Sequence, residues 1–291
     1  MSWRTVVIAN RCKLDYELGC MVVRGEPTKR LYLDEIAVLM IESTAVALTE
    51  YLITELVNRK IKVIFCDEKR NPCAELVPYA GSHDSSRKIK IQMAWSDELK
   101  SAVWMNIIAE KIARQASFLM KLGKEREAEL LSRYIEEIEL GDVTNREGHA
   151  AKVYFNALFG MGFTRSFECP INSALNYGYS LILSVCNREI SANGYLNQIG
   201  IHHDNVFNAY NLGCDLMEPL RPLVDRLVVN EKYMEFGTEQ KHGMIELLNY
   251  DVVVDGSRQT LLNGIKIYVR SVFAALNDGD TSLIRYCKYE L

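Results

Sequence analysis

The sequence predicts an α+β protein of two domains: a small N-terminal β-rich domain, β-sandwich-like with one helix, and a larger all-α C-terminal domain. Three observations support this class. Short segments rich in Val, Ile and Tyr fill the first 80 residues, helical periodicity begins after residue 95, and a polar stretch separates the two patterns. The predicted domains are therefore residues 1–80 and 95–291, joined by a linker at 81–94.

The N-terminal segments have the composition and turn-bounded length of strands. Partial alternation of apolar and polar residues within them indicates a sheet with one wet face. One helix is predicted over 44–59, with Thr44 or Thr49 as its cap. A last strand is predicted in 71–81, ending at Gly81. The other predicted strand segments are 3–10, 13–25, 28–42 and 62–66.

The C-terminal part begins after a polar run, GSHDSSRKIK at 81–90, which predicts the linker. Ser96, followed by Asp97 and Glu98, is a typical helix start. The first long helix is therefore predicted over 96–122. Further helices are predicted at 125–139, 145–159, 171–190, 205–230, 238–250 and 257–276.

Composition excludes several classes of protein. Of 291 residues, 48% are hydrophobic and 25% charged, which excludes a disordered chain. A net charge of −4 argues against DNA binding by bulk charge alone, so any such binding needs local basic patches or a metal ion. No apolar run approaches the ~20 residues of a membrane helix, and no signal peptide is evident, so a cytoplasmic protein without membrane contact is expected. The eight cysteines form no CxxC pair, and most are interpreted as small core residues rather than as members of disulfides or of a zinc site.

Residues 200–226 concentrate the groups that carry chemistry. Asp215 and Glu218 are spaced i, i+3, so they share one helix face, and close carboxylates repel unless a cation lies between them or both face water. Pro219 follows Glu218 directly, which indicates a kink that presents this carboxylate. Alternatively, Pro219 simply opens a second helix, where proline is well tolerated. The same stretch also contains His202, His203, Asp204 and Asp225.

A second candidate group lies in the predicted helix 145–159, where Glu147 and His149 occur. A Glu in the first turn is also ordinary complementation of the helix dipole, so both interpretations stay open. A mixed set of carboxylates and imidazole suits Mg²⁺ or Mn²⁺ with positions left for water and phosphate oxygens. The spacing of this set is not by itself diagnostic.

These segments resemble the CRISPR adaptation integrase, the most widely shared CRISPR-associated protein, in its type II form. The resemblance is carried by GIHHDNVFNAYNLGCDLMEPLRPLVD at 200–225 and by NREGHAAKVYFNALFG at 145–160, and it extends over the whole chain. It implies an N-terminal β-domain for dimerisation and partner contacts. It also implies a C-terminal helical catalytic domain.

The resemblance implies a site of one Glu, one His and one acidic residue. Glu147, His203 and Glu218 match these positions as catalytic residues and as ligands of Mg²⁺ or Mn²⁺. His203 is favoured over His202 because it is fourth in the GxxH motif. Asp215 matches an acidic position close to the site that gives support.

The activity implied is CRISPR spacer acquisition, a step of antiviral defence. The 3′-hydroxyl ends of a short duplex prespacer are joined to the CRISPR repeat by metal-dependent transesterification. The implied partners are double-stranded DNA, a second copy in a homodimer, and a small dimeric adaptation protein that bridges two homodimers. The alternatives are a metal-dependent nuclease that resolves branched DNA, and a non-catalytic DNA-binding scaffold.

Candidate DNA contacts are basic. Residues 81–126 contain nine basic and five acidic side chains, including Lys111 and Arg114, and phosphate contacts there would depend on salt. The alternative is a solvated helix face. Arg146 and Arg221 could hold a phosphate or pair with a neighbouring carboxylate. The full set of predicted DNA-binding residues is Arg87, Lys88, Lys90, Arg146 and Arg221.

Overall fold

The computed structural model describes residues 4–78 and 82–289, so the predicted strand end at Gly81 lies outside the described residues. The chain divides into two compact units, Met1–His83 and Asp84–Leu291. The first is rich in strands and the second is mostly helical. This confirms the predicted two-domain α+β class, with a β-rich unit followed by a mostly helical one. No helix in the described ranges combines the length and hydrophobicity needed to cross a membrane.

The elements of the first unit are β1 Arg4–Ile8, β2 Cys12–Glu17, β3 Cys20–Arg24, β4 Lys29–Tyr32, β5 Ile36–Ile41, β6 Val46–Leu48, α1 Glu50–Asn58, β7 Lys62–Cys66 and β8 Pro72–Glu75. The strands form two four-stranded sheets, ordered β1-β5-β7-β8 and β4-β3-β2-β6. β5 pairs in parallel with both β1 and β7, and every residue of β5 is buried. Leu14, Ile36, Leu52 and Val63, drawn from both sheets and the helix, share one buried cluster.

Helix α1 is shorter than the predicted helix over 44–59. Val46–Leu48 forms β6, which pairs with β2, so the helix begins only at Glu50. The Thr49 side chain caps it by accepting the Leu52 N–H at 3.4 Å. The capping alternative is thereby resolved in favour of Thr49 over Thr44.

The second unit is built on long, largely buried helices, of which α3 (Asp97–Lys121) and α6 (Pro170–Ala192) have the most buried residues. The Ser96 hydroxyl caps α3 by accepting the Leu99 N–H at 3.2 Å, as predicted. The helices are α2 Ser85–Met93, α3 Asp97–Lys121, α4 Glu125–Glu136, α5 Arg146–Phe159, α6 Pro170–Ala192, α7 Asn211–Met217, α8 Arg221–Glu231, α9 Thr238–Ile245 and α10 Leu261–Asp278, with a hairpin of β9 Asp251–Val254 and β10 Ser257–Thr260.

Two predictions about this unit are wrong. The linker over 81–94 contains α2, which is fixed by packing rather than by composition, since its Gln92 side chain is buried and bonds to the backbone of Leu196 and Ile199. The C-terminal part is not all-α, because it contains the β9–β10 hairpin, and the predicted helix over 257–276 begins only at Leu261. Asp255 and Gly256, both at positive φ, form the tight turn that sets up the β9–β10 hairpin instead.

Candidate active site

The predicted ligand residues line one cleft of about 250 Å³ in the helical unit. Acidic, basic and aromatic side chains from α3, α5, α6 and α8 share its walls. The lining residues that bear on its chemistry are Glu147, His203, Glu218, Asp225, Lys111, Arg165, Arg221, Gln115, Phe155 and Tyr179. The structure therefore brings Glu147, His203 and Glu218 together, although they are far apart in sequence.

Glu147 is placed by the N-terminus of α5. The buried Asp142 carboxylate accepts the backbone N–H groups of Arg146 at 2.7 Å and Glu147 at 3.0 Å. Asn145, at φ 52°, accepts the Gly148 N–H at 3.2 Å. These caps satisfy donors that the helix leaves free and fix the first turn, from which the Glu147 side chain reaches the cleft.

Glu218 is presented by the break between α7 and α8. Residues Glu218–Leu220 form a 3-10 turn between the two helices, so the helix predicted over 205–230 is not continuous and starts only at Asn211. Pro219 lies in this turn, where its missing N–H needs no helical partner. The helix therefore breaks after Met217, and a second helix, α8, begins at Arg221, so both interpretations of Pro219 apply.

The Glu218 carboxylate is almost fully buried and doubly paired. Its Oε1 accepts from Arg221 Nε at 2.8 Å, and its Oε2 accepts from Lys111 Nζ at 2.5 Å. Burial opposes its charge, but Arg221 and Lys111 outweigh burial and lower the pKa of Glu218 to about 2. Glu218 is therefore a carboxylate at any physiological pH.

His203 is held in place by Asp215. Asp215 is completely buried and accepts the backbone N–H groups of Ile201 at 2.6 Å, His202 at 3.1 Å and His203 at 3.1 Å. Its Oδ1 also lies 2.6 Å from His203 Nδ1, and this hydrogen bond raises the pKa of His203. Because a carboxylate only accepts, Nδ1 carries the proton and Nε2 is the nitrogen left for a ligand.

The loop before His203 leaves no room at Gly200. A Cβ at this position would lie 2.2 Å from the His203 carbonyl oxygen and 2.8 Å from Asp215 Oδ2. Asn211 holds the same loop by donating to the carbonyls of Gln198 at 3.0 Å and Asn205 at 3.1 Å. The first residue of the GxxH motif is thus required by close backbone packing.

Lys111 is a site residue that sequence reasoning misplaced among the solvent-facing basic residues. Its ammonium is buried and donates to Glu147 Oε1 as well as to Glu218. Burial opposes its charge, yet the Glu218 and Glu147 carboxylates prevail and raise the pKa of Lys111. The available signal was its spacing from Trp104 and Ile108, which puts a charge in the apolar stripe of α3. Arg114 is buried as well, paired with Glu110, so neither residue belongs to a surface DNA stripe.

The family is decided by comparison with known proteins. The sequence model of the CRISPR associated protein Cas1 family matches residues 5–239. The chain belongs to the Cas1 family. A CRISPR-associated endonuclease Cas1 of Neisseria meningitidis serogroup C (strain 8013) is 32% identical over 292 residues, which cover 98% of this chain and 96% of the relative.

Solved structures share the fold of this Cas1 family member. A casposase bound to integration product has a TM-score of 0.76 at 17% identity, with 97% of this chain and 93% of that chain covered. A chain of a partial Cas6-RT-Cas1–Cas2 complex has a TM-score of 0.67 at 16% identity, with 99% of each chain covered. Both likenesses extend through the two units, the β-rich one and the helical one.

In this Cas1 family member, the chemical types of the predicted ligand side chains suit a divalent cation. Two carboxylates and one imidazole, the imidazole backed by Asp215, are the ligand types that Mn²⁺ and Mg²⁺ accept. Within residues 4–78 and 82–289, no three His, Cys, Asp or Glu side chains converge closely enough to hold a metal ion. The place between Glu147 and Glu218 is taken by the Lys111 ammonium.

The remaining predicted residues are not members of the predicted ligand set. His202 stacks on buried Trp104, with ring centroids 4.2 Å apart, and is therefore a packing residue. Arg146 pairs with Glu137 at 3.0 Å, and Arg221 pairs with Glu218, so both engage carboxylates. On α2, Arg87 and Lys90 are exposed, whereas Lys88 lies over the Tyr195 ring at 5.6 Å.

Proposed function

We propose that this Cas1 family member is the integrase of CRISPR spacer acquisition, joining the 3′-hydroxyl ends of a short duplex to a CRISPR repeat by transesterification. The observation that supports this most is that Glu147, His203 and Glu218, from three separate elements, line one cleft. Buried Lys111 holds both carboxylates, and buried Asp215 holds the imidazole. The cleft is thus a preorganised site rather than a chance cluster.

The charge balance of the cleft favours a divalent metal as cofactor. Among the described lining residues, Glu147, Glu218 and Asp225 face the three cations Lys111, Arg165 and Arg221. A phosphodiester that enters this balanced set adds negative charge and needs a further cation. We propose that Glu147, His203 Nε2 and Glu218 hold Mg²⁺ or Mn²⁺. When bound, such an ion polarises the phosphate and favours the alkoxide form of the attacking hydroxyl.

The other side chains position the substrate and the ligands. Arg221 stacks over the Tyr179 ring at 4.6 Å while it holds Glu218, so its guanidinium is fixed on two sides. Arg165 donates to Asn176 at 2.6 Å and lies over the same ring at 5.3 Å. Fixed guanidinium groups suit phosphate oxygens, and we propose that these two orient the scissile phosphate.

The test is strand transfer of a duplex with free 3′-hydroxyl ends into a plasmid carrying a repeat, with the small partner protein present. Glu218→Gln is expected to lower joining by about 10³-fold or more while DNA binding is retained. The control is Glu189→Gln, which removes a buried carboxylate paired with Arg188 elsewhere in the helical unit. Equal joining by the Glu218→Gln protein and the wild type would refute the assignment.

The proposed partners follow from the same activity. We propose a homodimer that acts on prespacer and repeat DNA in the cytoplasm and assembles with a small dimeric partner of the Cas2 type. The N-terminal β-rich unit is proposed for dimerisation and partner contacts. Exposed Arg87 and Lys90 on α2 are proposed to contact phosphates.

A nuclease that resolves branched DNA is the alternative for the same cleft, with water in place of the 3′-hydroxyl. The two are separated by product: joined strands indicate the integrase, and shortened strands without joining indicate the nuclease. Bound DNA that is neither cut nor joined under either metal would indicate the non-catalytic scaffold.

A further inference from the structure

The two acidic ligands of the proposed metal site share one nitrogen. Lys111 Nζ donates to Glu147 and lies 2.5 Å from Glu218 Oε2. The Lys111 side chain is 6% exposed and that of Glu218 is 5% exposed, so solvent screens the contact with Glu218 little. The ammonium is therefore the counter-ion of both carboxylates in the protein without metal.

A divalent ion at the same oxygens cannot coexist with this arrangement. One oxygen of each carboxylate, Glu147 Oε1 and Glu218 Oε2, already accepts a hydrogen bond from Nζ. Two cations within bonding distance of the same carboxylates repel strongly at such a buried site. Metal binding therefore requires the ammonium to leave.

The side chain has the means to leave. Lysine carries its charge on a flexible four-carbon stem, unlike the planar and rigid guanidinium of Arg221. The cleft beside it is about 250 Å³, and polar Gln115, one turn further along α3, also lines it. The ammonium can thus withdraw while α3 itself stays in place.

We propose that Lys111 is an exchangeable resident cation, which holds Glu147 and Glu218 in the metal-free protein and is displaced when the divalent ion binds. The proposal rests on the proposed function, since it takes both carboxylates as metal ligands. Arg221 stays on Glu218 in both states. Lys111 thereby sets the metal affinity without being a ligand.

The test is Mn²⁺ affinity measured by calorimetry and by the paramagnetic resonance of free Mn²⁺, without DNA. Lys111→Met removes the competing charge, so Mn²⁺ is expected to bind about tenfold or more tightly than in the wild type. Lys111→Arg keeps a cation and is expected to bind no more tightly than the wild type. The matched control is Lys62→Met, which removes a buried lysine paired with Glu75 in the β-rich unit. It is expected to leave Mn²⁺ affinity unchanged.

The Glu218→Gln protein separates failure of this proposal from failure of the proposed function. Lost binding in Glu218→Gln, together with unchanged or weaker binding in Lys111→Met, overturns the role of Lys111 and leaves the metal site standing. Equal Mn²⁺ binding by Glu218→Gln and the wild type overturns both, because the carboxylate is then no ligand.

A second measurement does not depend on the variants folding. Crystals of the wild type soaked in Mn²⁺ locate the ion by its anomalous signal. An ion between Glu147 and Glu218, with Lys111 Nζ withdrawn beyond hydrogen-bond distance from both, is the expected result. An ion bound there with Nζ still bonded to both carboxylates would overturn the proposal.

Discussion

Replacing Asp215 with Asn removes the charged acceptor that holds the backbone of residues 201–203 and the His203 ring beside the cleft. Asp215 accepts three backbone N–H groups of residues 201–203 and the Nδ1–H of His203. An asparagine of the same size offers one acceptor oxygen and one amide donor. At least one of the four donors therefore loses its partner, and the others bond to a neutral oxygen.

The size of the effect follows from these bonds. A hydrogen bond to a charged group contributes about 1.5–3 kcal/mol, against about 0.5–1.5 kcal/mol for a neutral pair. Asp215 is 0% exposed, so water does not replace the lost bonds. Local opening of the 201–203 loop should become easier by at least about 2 kcal/mol, which is about a 30-fold faster amide exchange.

Hydrogen exchange of a peptide spanning 199–205 measures this opening directly. Asp204→Asn is the control, because Asp204 adjoins the same loop but is exposed. It should exchange within about twofold of the wild type. Unchanged protection of the loop in the Asp215→Asn protein would refute the reasoning.

The same variant decides whether Asp215 supports His203 or ligates metal. As a support it should lower Mn²⁺ affinity about 10- to 100-fold, which is the usual effect of removing a partner of a ligating histidine. Abolished Mn²⁺ binding with an unchanged loop would instead make Asp215 a ligand.

Three further predictions concern glycine packing, a buried acid and the basic helix. Gly200→Ala should weaken Mn²⁺ binding, measured by calorimetry, at least about tenfold, because its Cβ would displace the His203 carbonyl. The control is Gly243→Ala, since a Cβ at that position meets open space. Burial raises the pKa of Asp225 to about 6 in the folded protein, above its value near 4 in the unfolded chain. Protonation of Asp225 therefore stabilises the fold. This contribution is complete below about pH 4 and is lost as the pH rises through 6. From pH 5 to pH 8 the wild type should lose about 1.4 kcal/mol relative to Asp225→Asn, measured as the difference between their unfolding curves. The double change Arg87→Ala and Lys90→Ala should reduce the slope of log affinity for DNA against log salt by about 2, measured by fluorescence anisotropy; an unchanged slope would remove α2 from the DNA path.

Patterns local in sequence predicted most of the fold. The cap at Ser96 and the strand over 62–66 were confirmed because each depends on neighbours within a few residues. Helix α2 was missed because its stability comes from Gln92, which bonds to a backbone about a hundred residues later. The β9–β10 hairpin was missed although its Asp-Gly turn is a local signal, because the apolar run after it was interpreted as one helix.

The acidic residues of the site and Arg221 could be proposed from the sequence, whereas Lys111 could not. Glu147, His203 and Glu218 lie in recognisable motifs, and the structure places all three in one cleft. Lys111 lies in no such motif, and its role depends on tertiary packing of α3 against the turn that carries Glu218. A count of basic residues along the chain therefore assigned it to a surface that it does not occupy.

The basic residues Lys111 and Arg221 explain how the fold holds Glu147 and Glu218 close together without a metal. Two carboxylates brought this close would otherwise be protonated or forced apart, because burial disfavours their charge. Lys111 and Arg221 compensate that charge, and they keep the pKa of Glu218 at about 2. If the divalent ion replaces Lys111 rather than entering an empty acidic pocket, the net free energy of metal binding is only the difference between the interactions of the two cations with the carboxylates. At one Mn²⁺ concentration above both Kd values, Mn²⁺ should then stabilise the Lys111→Met protein against unfolding by about 1.4 kcal/mol more than the wild type, measured as the difference between unfolding with Mn²⁺ and with chelator.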